Sequence, residues 1–158
     1  MQISELVTLD RDKREVQHSM YPPRKAFGYT AHALMIPPFM PRNILMLGYA
    51  KGTVDFLINL IYMIPLMVDD QLTGFEAIPK DAVDILDNVQ LLSDKTNYYR
   101  MDALEYVKSC EKTYDYVCVD LYIGNEIPKF VFEDEFIQNL NRITNRLCSI
   151  NCTFYEYQ

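Results

Sequence analysis

Between residues 43 and 57 the chain reads Asn43-Ile-Leu-Met-Leu-Gly-Tyr-Ala-Lys-Gly-Thr-Val-Asp-Phe-Leu57, a short apolar run that breaks into a glycine turn and then takes up helical spacing. A buried strand, a sharp turn and a helix in immediate succession begin the crossover units of parallel sheets. Gly48 and Gly52 let the backbone turn tightly and come close to a ligand, and the amides opening the helix would point partial positive charge toward it. Ala50 stands where a G-x-G-x-G turn has its central glycine, which narrows the backbone's approach. Any glycine turn joining a buried strand to a helix has this form; the downstream pattern favours a ligand site.

From residue 43 onward, strand-like and helix-like segments alternate. The expected strands are 43–47, 72–75, 98–101, 114–119 and 147–154, and the expected helices are 54–62, 80–87, 103–110 and 133–142. Right-handed crossovers would arrange these strands in the order 3-2-1-4-5, giving an α/β fold with a mostly parallel, doubly wound sheet. Ligands bind such sheets where the strand order reverses, here at the carboxyl ends of the first and fourth strands. Residues 1–38 form an N-terminal region with a hairpin expected at 3–9 and 15–19. A helix is expected at 25–35, stopped by Pro37 and Pro38. Residues 39–158 form the main domain of a single globular unit.

Charge and composition exclude several function classes. A net charge of -7 offers no broad phosphate-binding surface, so duplex nucleic acid is not an expected partner. Cys110, Cys118, Cys148 and Cys152 contain no C-x-x-C pair, and three of them lie in or beside apolar runs, as packed free thiols do. A reduced, cytoplasmic setting follows. The start Met1-Gln-Ile-Ser-Glu lacks the basic and apolar parts of a signal peptide. The longest apolar stretch, 56–68, is interrupted by Asn59 and Pro65 and falls short of the ~18 to 20 residues of a membrane helix. A soluble protein is expected.

The site should then lie among polar residues just past the strands. Glu76 follows the second expected strand at about the distance at which an acidic side chain accepts hydrogen bonds from ribose hydroxyls. Asp102 follows the third and Asp120 the fourth, so three carboxylates would converge on one rim of the sheet. Acidic residues also end strands as helix caps, and Asp102 before Ala103-Leu-Glu-Tyr-Val is a good N-cap. His18 and His32 do not form a metal pair, and no carboxylate or thiol repeats at ligand spacing around them, so no metal is expected. Cys148 and Cys152 suit packing better than chelation. Of the twelve tyrosines, Tyr98, Tyr99, Tyr114 and Tyr116 suit strand preference, and Tyr122 is the one kept as a pocket residue.

In its sequence of elements the chain resembles the spermidine synthase branch of the S-adenosylmethionine-dependent methyltransferase superfamily. The matching segments are Arg14-Glu-Val-Gln-His-Ser, Phe27-Gly-Tyr-Thr, Ile44-Leu-Met-Leu-Gly, Gly74-Phe-Glu-Ala-Ile-Pro, Met101-Asp-Ala-Leu-Glu-Tyr-Val, Tyr114-Asp-Tyr-Val-Cys-Val-Asp, Gly124-Asn-Glu-Ile-Pro and Glu135-Phe. The resemblance implies a Rossmann-like methyltransferase fold and a pocket for S-adenosylmethionine or its decarboxylated form. Gly48, Tyr49, Gly52, Glu76, Asp102, Ala103 and Asp120 would bind that donor. By this resemblance Glu76 holds the ribose, Asp102 lies near the adenine amino group, and Asp120 accepts a proton from an attacking amine. Tyr29 and Tyr122 would line the acceptor pocket.

The chain also departs from that branch. Polyamine synthases carry a second acidic residue three positions after the base, where this chain has Ile123, and acidic residues before the early tyrosine, where it has Ala26-Phe-Gly. A polycation would find fewer carboxylates here, which disfavours aminopropyl transfer. Lys51 occupies a loop position that is commonly acidic and faces the amino end of the donor. The chain also ends at the fifth strand, without the usual hairpin. Phe154, Tyr155 and Tyr157 would then sit on an open sheet edge, which a homodimer would cover. Three functions remain open: methyl transfer to an acceptor other than a polyamine, aminopropyl transfer, and non-catalytic binding or assembly.

Overall fold

All four side chains of the strand at Ile44–Leu47 are buried, the mark of a strand covered on both faces. The computed structural model describes residues 6–9, 15–18, 35–63, 78–87, 89–123 and 126–152. The elements in chain order are β1 (Leu6–Leu9), β2 (Glu15–His18), β3 (Ile44–Leu47), α1 (Thr53–Met63), β4 (Lys80–Asp84), β5 (Thr96–Arg100), α2 (Ala103–Ser109), β6 (Tyr114–Val119), a 3-10 turn (Lys129–Phe132), α3 (Asp134–Ile143) and β7 (Thr144–Ile150). β1 and β2 pair antiparallel as the expected hairpin. The other five strands form an all-parallel sheet in the order β5-β4-β3-β6-β7. In sheet numbering this is 3-2-1-4-5, a Rossmann-like topology, as the sequence pattern indicates. Residues 25–34 of the expected helix and the aromatic residues Phe154, Tyr155 and Tyr157 lie outside the described residues, and Met35 lies in a turn.

The sheet separates two apolar layers. Leu45, Leu47, Val83, Val117 and Val119 face Tyr106 and Val107 of α2 and Phe136, Leu140 and Ile143 of α3. Ile44, Met46, Ala82, Tyr116 and Cys118 face Val54 and Ile58 of α1, with Met35 and Ile78. Alternate residues along each strand serve opposite layers because successive side chains point to opposite faces.

One assignment from the sequence is overturned. Residues 80–87 read as a helix, yet Lys80–Asp84 is the strand beside β3, with Lys80 opposite Ile44 and Val83 opposite Leu47. The expected second strand at 72–75 lies outside the described residues. Lys80 and Asp81 made the segment look polar, but both are buried. Lys80 belongs to the α1 layer and Asp81 to the α2 layer, and each meets an oppositely charged partner there. The edge strands are shifted less: β5 begins at Thr96 instead of 98, and β7 begins at Thr144 instead of 147. α3 passes into β7 with no intervening residue; Thr144 caps the helix through its N–H to the Asn141 carbonyl and then opens the strand.

Among the described residues, no helix is long and apolar enough to cross a membrane.

Candidate functional site at the carboxyl edge of the sheet

Four strands extend their hydrogen-bond ladder one residue beyond their ends. Gly48 N donates to Val83 O, Asp120 N to Leu47 O and Asn151 N to Val119 O, each at 2.8 Å, and Met101 N donates to Asp84 O at 3.1 Å. The first residues past β3, β6 and β7 are therefore held by the sheet itself. They surround the point between β3 and β6 where the strand order reverses, the place at which doubly wound sheets bind ligands.

The turn after β3 has left-handed backbone at Gly48 (φ 85°), Ala50 (φ 48°) and Gly52 (φ 72°). Its middle position keeps the conformation that glycine adopts easily although the residue is alanine, at a cost of about 1–2 kcal/mol. Gly48 is further constrained by space, since a Cβ there would lie 2.2 Å from the backbone oxygen of Asp120. Only glycine lets the β3 turn come this close to the chain leaving β6.

The acidic residue that closes the second strand of the sheet is Asp84. Glu76 stands before that strand in the chain, outside the described residues, so the rim position after the second strand passes to Asp84. Its Oδ2 accepts from the Tyr49 and Ala50 amides, both at 2.9 Å, and its Oδ1 accepts from Ile85 N at 2.7 Å. The turn amides are thus directed at a carboxylate supplied by the chain. Asp84 was not found from the sequence because Lys80 and Asp81 obscured its strand; the available signal was the short Ala82-Val83-Asp84 ending.

The other expected residues fall on the same rim in different roles. Asp102 is the N-cap of α2, accepting from Leu104 N at 2.8 Å, while Ala103 is buried as the first residue of the helix. Asp120, half-buried, accepts at Oδ1 from the Asn151 side-chain amide at 2.9 Å. Tyr122, also half-buried, places its hydroxyl 3.4 Å from the Asn151 carbonyl. Asn151, which sequence reasoning missed, therefore touches both residues from the end of β7. Tyr49 is buried, and its phenol points away from the rim to Asp55 at 2.8 Å. Burial and the Asp55 charge push that phenol well above its ordinary range, so it remains a donor. Tyr29 lies outside the described residues.

A shallow polar depression of about 320 Å³ lies at the opposite, amino edge, lined by Arg42, Asn43, Thr113, Asp115 and Asn145. Its groups bond chiefly to one another: Arg42 grips Asp115 through its side chain and backbone N–H, and Asn43 bridges Asp115 N and the Thr113 carbonyl. That mutual satisfaction, and the position away from the strand-order reversal, make it a clamp between strand starts. Among the described residues, no cluster of three or more His, Cys, Asp or Glu side chains could hold a metal ion.

No protein-family model matches the chain, and no curated protein matches it significantly.

Proposed function

We propose that the carboxyl edge of the sheet binds an S-adenosylmethionine-type nucleoside and that the chain is a transferase. In this reading it is a spermidine synthase-like methyltransferase whose acceptor is not a polyamine. The observation that carries the reading is the Asp84 carboxylate seated on the amides of the glycine turn. In a nucleotide site those amides would be directed at phosphate. Here a phosphate would have to displace one carboxylate and approach two more, Asp102 and Asp120. A cationic sulfonium nucleoside fits the same rim.

The residues would share the work as follows. A carboxylate accepts about four hydrogen bonds, and backbone amides provide three at Asp84. One position then remains for a ribose hydroxyl. Asp102 would approach the adenine amino group from the start of α2. Asp120, oriented by Asn151, would accept a hydrogen bond from the nucleophile and favour its unprotonated form, since an ammonium has no lone pair with which to attack. The sulfonium supplies the activated methyl group, and the chain supplies position.

Isothermal titration with S-adenosylmethionine, its decarboxylated form and methylthioadenosine in parallel tests this. Micromolar binding is expected, and Asp84→Ala should weaken it by roughly 1.5–3 kcal/mol, the range for hydrogen bonds to a charged group. Preference for the decarboxylated donor would shift the reading to aminopropyl transfer. No binding of any of the three at millimolar concentration would sink it and leave binding or assembly as the function.

A further inference from the structure

Beneath the glycine turn lies a charged cluster with no part in the chemistry above. The side chains of Asp55 and Lys80 are wholly buried, with Nζ 2.9 Å from Oδ1. Asn59 completes the group: its Nδ2 donates to Asp55 Oδ1 and its Oδ1 accepts from Lys80 Nζ, both at 3.0 Å. The other Asp55 oxygen accepts from the Tyr49 phenol at 2.8 Å, and that phenol accepts from Leu92 N at 3.2 Å. The cluster thereby ties together α1, β4, the segment before β5 and the glycine turn.

Stability is a weak explanation for such a group. Apolar residues of similar volume often replace a buried ion pair at no loss, whereas a fully satisfied buried network holds its surroundings in one arrangement. The arrangement in question is the turn. Tyr49 sits between left-handed Gly48 and Ala50, and its ring packs where a Cβ on Gly52 would lie 2.8 Å from the phenol oxygen. The side chain of Tyr49 reaches the buried cluster while its backbone amide holds Asp84. We propose that Asp55, Lys80 and Asn59, acting through the Tyr49 phenol, are positioning residues that keep the strained turn and the Asp84 carboxylate in place. Only the ligand arm of the test below rests on the proposed donor site.

Two variants decide it by residue-resolved amide hydrogen exchange. Tyr49→Phe removes one oxygen, and the double variant D55L/K80M replaces the ion pair with apolar groups. Each should still unfold cooperatively on heating. The Tyr49 and Ala50 amides should exchange at least about tenfold faster, while the Leu47 and Val117 amides in the sheet keep their rates. Methylthioadenosine should bind at least about tenfold more weakly. Exchange at Tyr49 and Ala50 within about twofold of wild type in folded Tyr49→Phe would overturn the proposal, as would equal acceleration at Leu47 and Val117. If D55L/K80M does not fold, Tyr49→Phe alone decides. Faster turn exchange in a protein that binds no nucleoside would leave the positioning role standing and remove the donor site.

Discussion

Carboxylates stand at both ends of the parallel sheet, and the two ends treat them differently. Toward the amino end, Asp115 is gripped by Arg42 at 3.0 Å and Asp81 by Lys112 at 2.9 Å. Burial alone would raise the Asp81 carboxyl, but hydrogen bonds from Tyr114, Asn97 and Lys112 outweigh it and hold the group below its ordinary value. At the carboxyl end, Asp84 and Asp102 are held by backbone amides, and among the described residues neither has a cationic partner. Asp120 is oriented by the neutral amide of Asn151. The first arrangement spends the charge of each acid on internal cohesion. The second fixes the direction of Asp84 and Asp102 through backbone amides and, among the described residues, does not neutralise their charge.

Substitutions at the two ends should separate these roles. The largest effect on folding is expected at the carboxyl end from Gly48→Ala, where left-handed backbone and contact with the Asp120 carbonyl combine. Strain and overpacking together should cost roughly 2–5 kcal/mol in urea unfolding; a loss under 1 kcal/mol would mean that the β3 turn and the β6 exit are not in such close contact. A smaller, pH-dependent effect belongs to the amino end. Hydrogen bonds from the Arg42 side chain and backbone lower the Asp115 carboxyl to about 2. Because this folded value lies below the unfolded one, Asp115 contributes fully above pH ~4, and the contribution is lost as pH falls toward 2. Urea midpoints measured from pH 6 to 2 should fall less steeply below pH 4 in Asp115→Asn than in wild type; parallel curves would dissolve the contrast between the two ends. The smallest effect is expected from Ala50→Gly. Relief of left-handed strain of about 1–2 kcal/mol exceeds the added chain entropy of about 0.5–1 kcal/mol, so the variant should be slightly more stable. Destabilisation would mean that alanine is not strained there.

The legible parts of the fold were those in which hydrophobicity and burial agree. β3 and β6 are unbroken or nearly unbroken apolar runs, and α2 announces itself through Asp102 as cap. The strand order followed from the alternation of elements. β4 was misread because Lys-Asp-Ala-Val-Asp has only two apolar residues, and its first two charges are buried against partners 25 and 31 positions away, Asp55 and Lys112. Hydropathy cannot register a charge that is neutralised across the fold. The same misreading led the sequence to place the acid that follows the second strand at Glu76, whereas Asp84 ends that strand. Asn151 was illegible for a related reason: a lone amide beyond an edge strand acquires meaning only once β7 lies beside β6.

The direct passage from Ile143 to Thr144 makes one point of the chain unusually intolerant of changes in length. Insertions elsewhere can bulge outward as surface loops, but one extra residue at this junction would have no loop to enter. It would advance β7 by one position against β6 and exchange the two faces of the strand. Leu147, which packs with the α1 layer, would then trade sides with Cys148, which packs with the α2 layer, and Asn151 would turn away from Asp120. Among variants of this chain that differ by insertion or deletion, this seam should stay unaltered while the surface loops vary.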